Sequence, residues 1–102
     1  MSEFVEVAKA DDLMEGEGRT VEVKGTQVAL FKKGGKFYAI NNTCLHEGGP
    51  LGEGSLDGDF VVCPLHGWKF NIKTGAYELN SKLKVANYRV KVESGRVLVS
   101  LD

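Results

Sequence analysis

The chain has 102 residues, with 13 Lys and Arg against 14 Asp and Glu, a formal net charge of −1, and 42% apolar residues. That length suits one small domain, and the balanced charge gives no electrostatic footprint for nucleic acid or an anionic membrane surface. Apolar runs such as Val28-Ala29-Leu30-Phe31 and Phe60-Val61-Val62-Cys63 are far too short to cross a bilayer, so no membrane association is expected. The opening Met1-Ser2-Glu3-Phe4-Val5-Glu6 has neither the basic nor the apolar region of an export signal, which predicts a cytoplasmic location.

In chain order, Phe4, Val5 and Val7 open a strand that ends near a turn at Ala10-Asp11-Asp12. Val21 and Val23 alternate with Glu22 and Lys24, the period-two pattern of a half-buried strand. Residues 27–31 and 36–40 flank Lys33-Gly34-Gly35, a hairpin signal. Close to the C-terminus, Tyr88, Val90 and Val92 alternate with polar residues. After a turn at Glu93-Ser94-Gly95, Val97, Val99 and Leu101 alternate with Leu98 and Ser100. No segment of ten residues carries an apolar stripe at helical spacing, so the chain is expected to be an all-β sandwich or barrel. Between Gly48 and Gly67 lie six of the 13 glycines and both prolines. Residues of about 42–75 therefore read as a loop-rich subdomain, with a short strand at Phe60-Val61-Val62 and a turn at Asp57-Gly58, mounted on a β scaffold.

Cys44, His46, Cys63 and His66 are every cysteine and histidine in the protein. Two thiolates and two imidazoles form a four-coordinate set suited to zinc or to iron–sulfur chemistry. Zinc fingers usually place both cysteines on one knuckle and both histidines on the other. Here each loop supplies one of each, an order that suits a binuclear cluster with two unequal irons. Two cysteines cannot build a dense disulfide scaffold. The glycine run 48–54 is no phosphate loop, since no Lys-Ser/Thr follows it.

Cys44-Leu45-His46-Glu47-Gly48-Gly49-Pro50-Leu51 and Cys63-Pro64-Leu65-His66-Gly67-Trp68-Lys69-Phe70 resemble the two ligand loops of Rieske [2Fe–2S] proteins. Along its whole length the chain resembles soluble bacterial-type Rieske ferredoxins, the carriers of ring-hydroxylating oxygenase systems. The resemblance implies a Rieske-like β-sandwich with a small cluster-binding subdomain, residues 1–102 forming a single domain. It implies one [2Fe–2S] cluster held by Cys44, His46, Cys63 and His66 and lined by Gly48, Gly49, Pro64, Leu65, Gly67 and Trp68. Neutral imidazoles in place of two thiolates leave such a cluster less negative and easier to reduce.

Within the family, high-potential members carry a disulfide at positions matching Gly49 and Leu65, and hydroxyl donors at positions matching Trp68 and Phe70. None of these four residues can supply those groups, which implies a potential near the low end of the Rieske range, about −150 to +300 mV. The implied partners are a flavin-dependent NAD(P)H reductase and a terminal oxygenase or other redox acceptor, met in turn by a monomer. The chain would then be an electron carrier and not an enzyme, since its histidines are used up and no mononuclear iron site can be built. Glu47, Glu53, Asp57 and Asp59, in a stretch without Lys or Arg, read either as a solvated face or as a docking surface for a basic partner. Other readings of the loops are the small Rieske-like subunit of an assimilatory nitrite reductase, a redox sensor module, or a structural zinc domain.

Overall fold

The computed structural model describes residues 3–45, 48–65 and 67–101. The strands are β1 (Val5–Lys9), β2 (Gly18–Val23), β3 (Thr26–Lys33), β4 (Lys36–Asn41), β5 (Ser55–Asp57), β6 (Phe60–Val62), β7 (Lys69–Asn71), β8 (Ala76–Tyr77), β9 (Asn80–Lys84), β10 (Asn87–Glu93) and β11 (Arg96–Ser100). Single 3-10 turns at Ala10–Asp12 and Leu51–Glu53 are the other regular elements among the described residues. No helix is long and apolar enough to cross a membrane.

Six strands form one sheet in the order β1-β11-β10-β4-β3-β2, and five form a second in the order β5-β6-β7-β8-β9. The outer strands of the first sheet, β1 and β2, approach each other and curl it into a partial barrel. The second sheet is an insertion between two neighbours. β4 runs out at Asn41, and the chain returns at β10, where Asn87 pairs with Ile40 and Tyr88 with Ala39. The sandwich and the all-β class match the expectation from sequence.

The run Val28–Phe31 is buried throughout because β3 lies between two cores. Val28 and Leu30 face one core, with Ala8, Leu13, Val23, Ala39, Val97 and Val99. Ala29 and Phe31 face the other, with Ile40, Leu51, Val61, Phe70, Ile72 and Val85. Alternate side chains of a strand point to opposite faces, so one strand serves both cores. Cys44 and Cys63 belong to the second core, which lies between the two sheets.

Strands β7, β8 and β9 are not legible from the pattern. β7 and β8 have three and two residues, and β9 is exposed at every position, so no alternation marks it. The second sheet consequently runs on to Lys84.

Candidate metal centre

The two cysteine loops share one backbone design. The Gly48 N–H donates to the Cys44 carbonyl at 2.9 Å, and the Cys44 N–H donates to the Gly49 carbonyl at 3.0 Å. In the other loop the Gly67 N–H donates to the Cys63 carbonyl at 3.0 Å, and the Cys63 N–H donates to the Trp68 carbonyl at 2.7 Å. Each glycine stands four residues after its cysteine, at φ +72° for Gly48 and +77° for Gly67, a backbone region costly for other residues. These two N–H groups serve the loop backbone itself. The histidine falls at a different point in each loop, two residues after Cys44 and three after Cys63. His46, Glu47 and His66 lie outside the described residues.

Gly49 ties the loops together. Its carbonyl receives the Cys44 N–H, and a methyl placed on its Cα would sit 2.7 Å from Cys63 Sγ and 3.0 Å from Leu65 Cγ. The backbone of one loop thus lies directly against the sulfur of the other, with no room for a side chain. No disulfide joins the two cysteines, and both are buried, at 2% and 3% exposure. Two cysteines from opposed loops, linked through Gly49 and both inside one apolar core, are the donor half that a cluster with unequal irons requires.

The rest of the site is graded from core to surface. Phe70 is fully buried, while Trp68 stacks on Tyr77 with ring centroids 4.2 Å apart and planes 13° from parallel. This aromatic layer backs the second loop. Pro64 and Gly67 are exposed, and Leu45 and Leu65, each next in sequence to a histidine, are 49% and 53% exposed. Beside the first loop lies a cleft of about 420 Å³ lined by Asn41, Thr43, Cys44, Leu45, Lys84, Val85 and Ala86.

The acidic stretch is less acidic than its sequence. Asp57 is bonded to Lys69 Nζ at 2.8 Å, and Asp59 lies 3.7 Å from Lys73 Nζ. The Lys69 hydrogen bond and charge hold the Asp57 carboxyl below the usual aspartate value, and Asp57 in turn raises Lys69. Both lysines sit just past residue 66, so a count that stops there misses them. Glu53 is exposed on the 3-10 turn.

Sequence reasoning missed the groups that hold the first loop at its base. Asn42, 7% exposed, accepts at Oδ1 from Thr20 Oγ1 at 3.1 Å and from the Gly52 N–H at 2.7 Å. Asn41 accepts at Oδ1 from the Thr43 N–H at 2.9 Å and donates from Nδ2 to the Tyr88 hydroxyl at 3.0 Å. An Asn-Asn pair at a strand end is the one sequence signal, and it reads equally well as a turn.

Residues 3–89 match the Rieske [2Fe-2S] domain. The chain belongs to the Rieske family. The ferredoxin component of the naphthalene 1,2-dioxygenase/salicylate 5-hydroxylase systems of Ralstonia sp is 33% identical over 100 residues, 97% of this chain and 96% of that protein. A solved complex of reduced oxygenase and oxidized ferredoxin in carbazole 1,9a-dioxygenase contains a chain 35% identical to this one. It superposes with a TM-score of 0.87 over 97% of this chain and 94% of that one. A putative NADH-dependent nitrite reductase small subunit from Mycobacterium tuberculosis has a TM-score of 0.91 over 98% of this chain and 96% of its own. At 24% identity that likeness is one of fold alone. This Rieske protein is an electron-transfer component rather than a catalyst, and its cofactor is a single [2Fe–2S] cluster.

Proposed function

We propose that the chain passes single electrons from a flavin-dependent NAD(P)H reductase to a terminal oxygenase, with Cys44, His46, Cys63 and His66 as the cluster ligands. The observation that carries the ligand set is the contact at Gly49, which joins the Cys44 loop to the Cys63 sulfur. When bound, the cluster supplies one-electron chemistry at the raised potential of the His-ligated type. The protein's part is to hold and shield it. Cys44 and Cys63 anchor the sulfur side in the core, and Trp68, Phe70 and Tyr77 keep water from the second loop. Gly48, Gly49, Pro64, Leu65 and Gly67 shape the remaining walls.

The position of the second sheet, inserted between adjacent strands of the first, supports reading residues 1–102 as one functional domain. The exposed pair Leu45 and Leu65 flanks the histidines in sequence and suits brief apolar docking with a polar rim. Of the four carboxylates proposed for docking, Asp57 and Asp59 carry lysine counter-charges and Glu53 is exposed, while Glu47 lies outside the described residues. A monomer in the cytoplasm meets both partners in turn. The absence of hydroxyl donors at Trp68 and Phe70 supports a potential in the lower part of the Rieske range.

Iron, sulfide and zinc analysis, with electron paramagnetic resonance of the dithionite-reduced protein, tests the reading. Two irons, two sulfides and a Rieske-type signal are expected in the parent chain, with the signal lost in Cys44→Ser and Cys63→Ser. One zinc and no iron would overturn the assignment. A tight, salt-resistant complex with a large sirohaem subunit would move the chain to the nitrite reductase role.

A further inference from the structure

We infer that Asn41 and Asn42 are positioning residues for Cys44, and that the first ligand loop, unlike the second, is tied to the fold by side-chain amides as well as by backbone bonds. The inference rests on the ligand set proposed above.

The two loops are anchored differently. The second caps a continuous ladder: Phe60 pairs with Asn71, Val61 with Phe70 and Val62 with Lys69, and the Cys63-to-Trp68 bond adds a further rung. Its position follows from the β6–β7 hairpin. Among its described residues the first loop has one isolated bridge, Thr43 with Pro50. Below that bridge the two asparagines take over and reach in different directions.

Asn42 binds the strand β2 through Thr20 and the far end of the loop through Gly52, while its backbone carbonyl accepts from the Leu51 N–H at 2.8 Å. Asn41 binds the near end through the Thr43 N–H and the strand β10 through Tyr88. The backbone anchors the same two residues, the Asn42 N–H donating to the Gln27 carbonyl at 3.0 Å and the Asn41 N–H to the Ala86 carbonyl at 2.8 Å, and the two amides add the ties that run from the base of the Cys44 loop to β2 and β10. The fit is close: a Cβ on Gly52 would fall 2.5 Å from Thr20 Oγ1 and 2.8 Å from the Thr20 nitrogen. Among the described residues no buried side-chain nitrogen or oxygen lacks a partner; deleting the Tyr88 hydroxyl removes the acceptor of Asn41 Nδ2, and deleting the Thr20 hydroxyl leaves Asn42 Oδ1 with the Gly52 N–H alone.

A carrier needs its cluster geometry unchanged between two redox states, and an unpaired hydrogen-bonding group close to a ligand loop loosens that geometry. Supporting groups around a metal ligand set its orientation and tune the metal. The asymmetry means that perturbations reaching Cys44 through the amides change the cluster's spectrum, while equal destabilisation elsewhere does not.

The test uses the iron-loaded full chain and two variants that each delete one hydroxyl at a distance from the loops, Thr20→Val and Tyr88→Phe, alone and together. Three quantities are measured: the resonance g-values and linewidths after dithionite, the midpoint potential, and the rate of visible bleaching in EDTA. The double variant is expected to shift or broaden the resonance and to bleach about three- to tenfold faster, as loss of buried hydrogen bonds implies. Val97→Ala, in the core away from the loops, is the control; it should lower the melting temperature and leave the resonance unchanged. Asn42→Asp keeps the accepting oxygen and should restore the resonance relative to Asn42→Ala. If Asn42→Ala does not fold, the hydroxyl variants decide alone. A wild-type resonance and bleaching rate in the double variant would overturn the inference, as would an equal change in Val97→Ala. A parent chain without the Rieske-type signal refutes the ligand set instead, before any variant is compared.

Discussion

Adding one methyl group at Gly49 separates crowding of the site from backbone strain. A Cβ there would lie 2.7 Å from Cys63 Sγ and 3.0 and 3.1 Å from Leu65 Cγ and Cδ1. Ordinary contacts between such atoms lie near 3.5–4 Å, so the sulfur or the loop must give way by about 1 Å. Overpacking of this kind costs about 1–3 kcal/mol. Gly49 is not among the residues with positive φ, so the cost is steric. Gly48→Ala is the complement: among the described residues its Cβ would meet nothing nearer than Thr43 Cγ2 at 3.8 Å, but its φ of +72° costs an alanine about 1–2 kcal/mol.

The two alanine variants should lose similar stability, each 1 kcal/mol lowering the melting temperature by roughly 4–8 °C in a domain of this size. They should differ at the metal. Gly49→Ala is expected to lower iron per chain and alter the visible and resonance spectra, and Gly48→Ala to leave them near the parent. Leu65→Ala in the Gly49→Ala background removes the leucine crowding but not the sulfur contact, so recovery should be partial. A Gly49→Ala protein with parental iron content and spectra would refute the reasoning, because the inter-loop contact would then not constrain the sulfur.

Two further outcomes follow from turns remote from the site. Ser94 and Gly95 form the β10–β11 turn with φ of +52° and +76°, both left-handed, where Asn is tolerated far better than Ser. Ser94→Asn should therefore stabilise the fold by about 0.5–1 kcal/mol, read as a higher melting temperature with unchanged spectra. Glu15 accepts from the N–H groups of Gly34 and Gly35 at 2.5 and 3.1 Å, and these bonds hold its carboxyl below the ordinary glutamate value of 4.5. A lowered carboxylate stabilises the fold above its unfolded value and loses that contribution as pH falls through the folded one. Acid titration of the melting temperature should thus be shallower below pH 4.5 in Glu15→Gln than in the parent, and identical slopes would show that the contact contributes nothing.

The parts of the fold legible in the sequence are those where one face is wet or a turn has only one chemistry. The alternation at Val21 and Val23, the Gly34-Gly35 hairpin and the final pair of strands are of that kind. The far side of the second sheet was hidden because β8 has two residues and β9 is exposed at every position, both held by their neighbours rather than by a buried stripe. Within the site, the four rare residues were visible as types in a pattern, since ligand chemistry allows few substitutes. The amides of Asn41 and Asn42 were not, because their partners, Thr20 and Tyr88, are distant in sequence and only β2 and β10 bring them near. The lysines opposing Asp57 and Asp59 were hidden by the same effect on a smaller scale: strand pairing, not sequence spacing, places Lys69 beside β5 and β6.

The same strand that looks simplest in the sequence explains how one small domain can carry a metal site. Val28 and Leu30 complete a core closed by Val97 and Val99, which contains no cysteine. Ala29 and Phe31, on the opposite face, join Ile40 of β4 in a core that includes both cysteines and draws its other buried residues from the inserted segment. Burial of side chains such as Leu30 and Phe31 contributes roughly 1.5–3 kcal/mol each, and it does so on both faces of one strand. The first core therefore fixes β3 and β4 independently of the metal, and Asn41 and Asn42 extend directly from the end of β4. The loops can then be shaped by glycine, by close backbone contact and by a cluster between them, without supporting the rest of the chain. That separation lets a site rich in costly backbone conformations remain in register with a domain of only 102 residues.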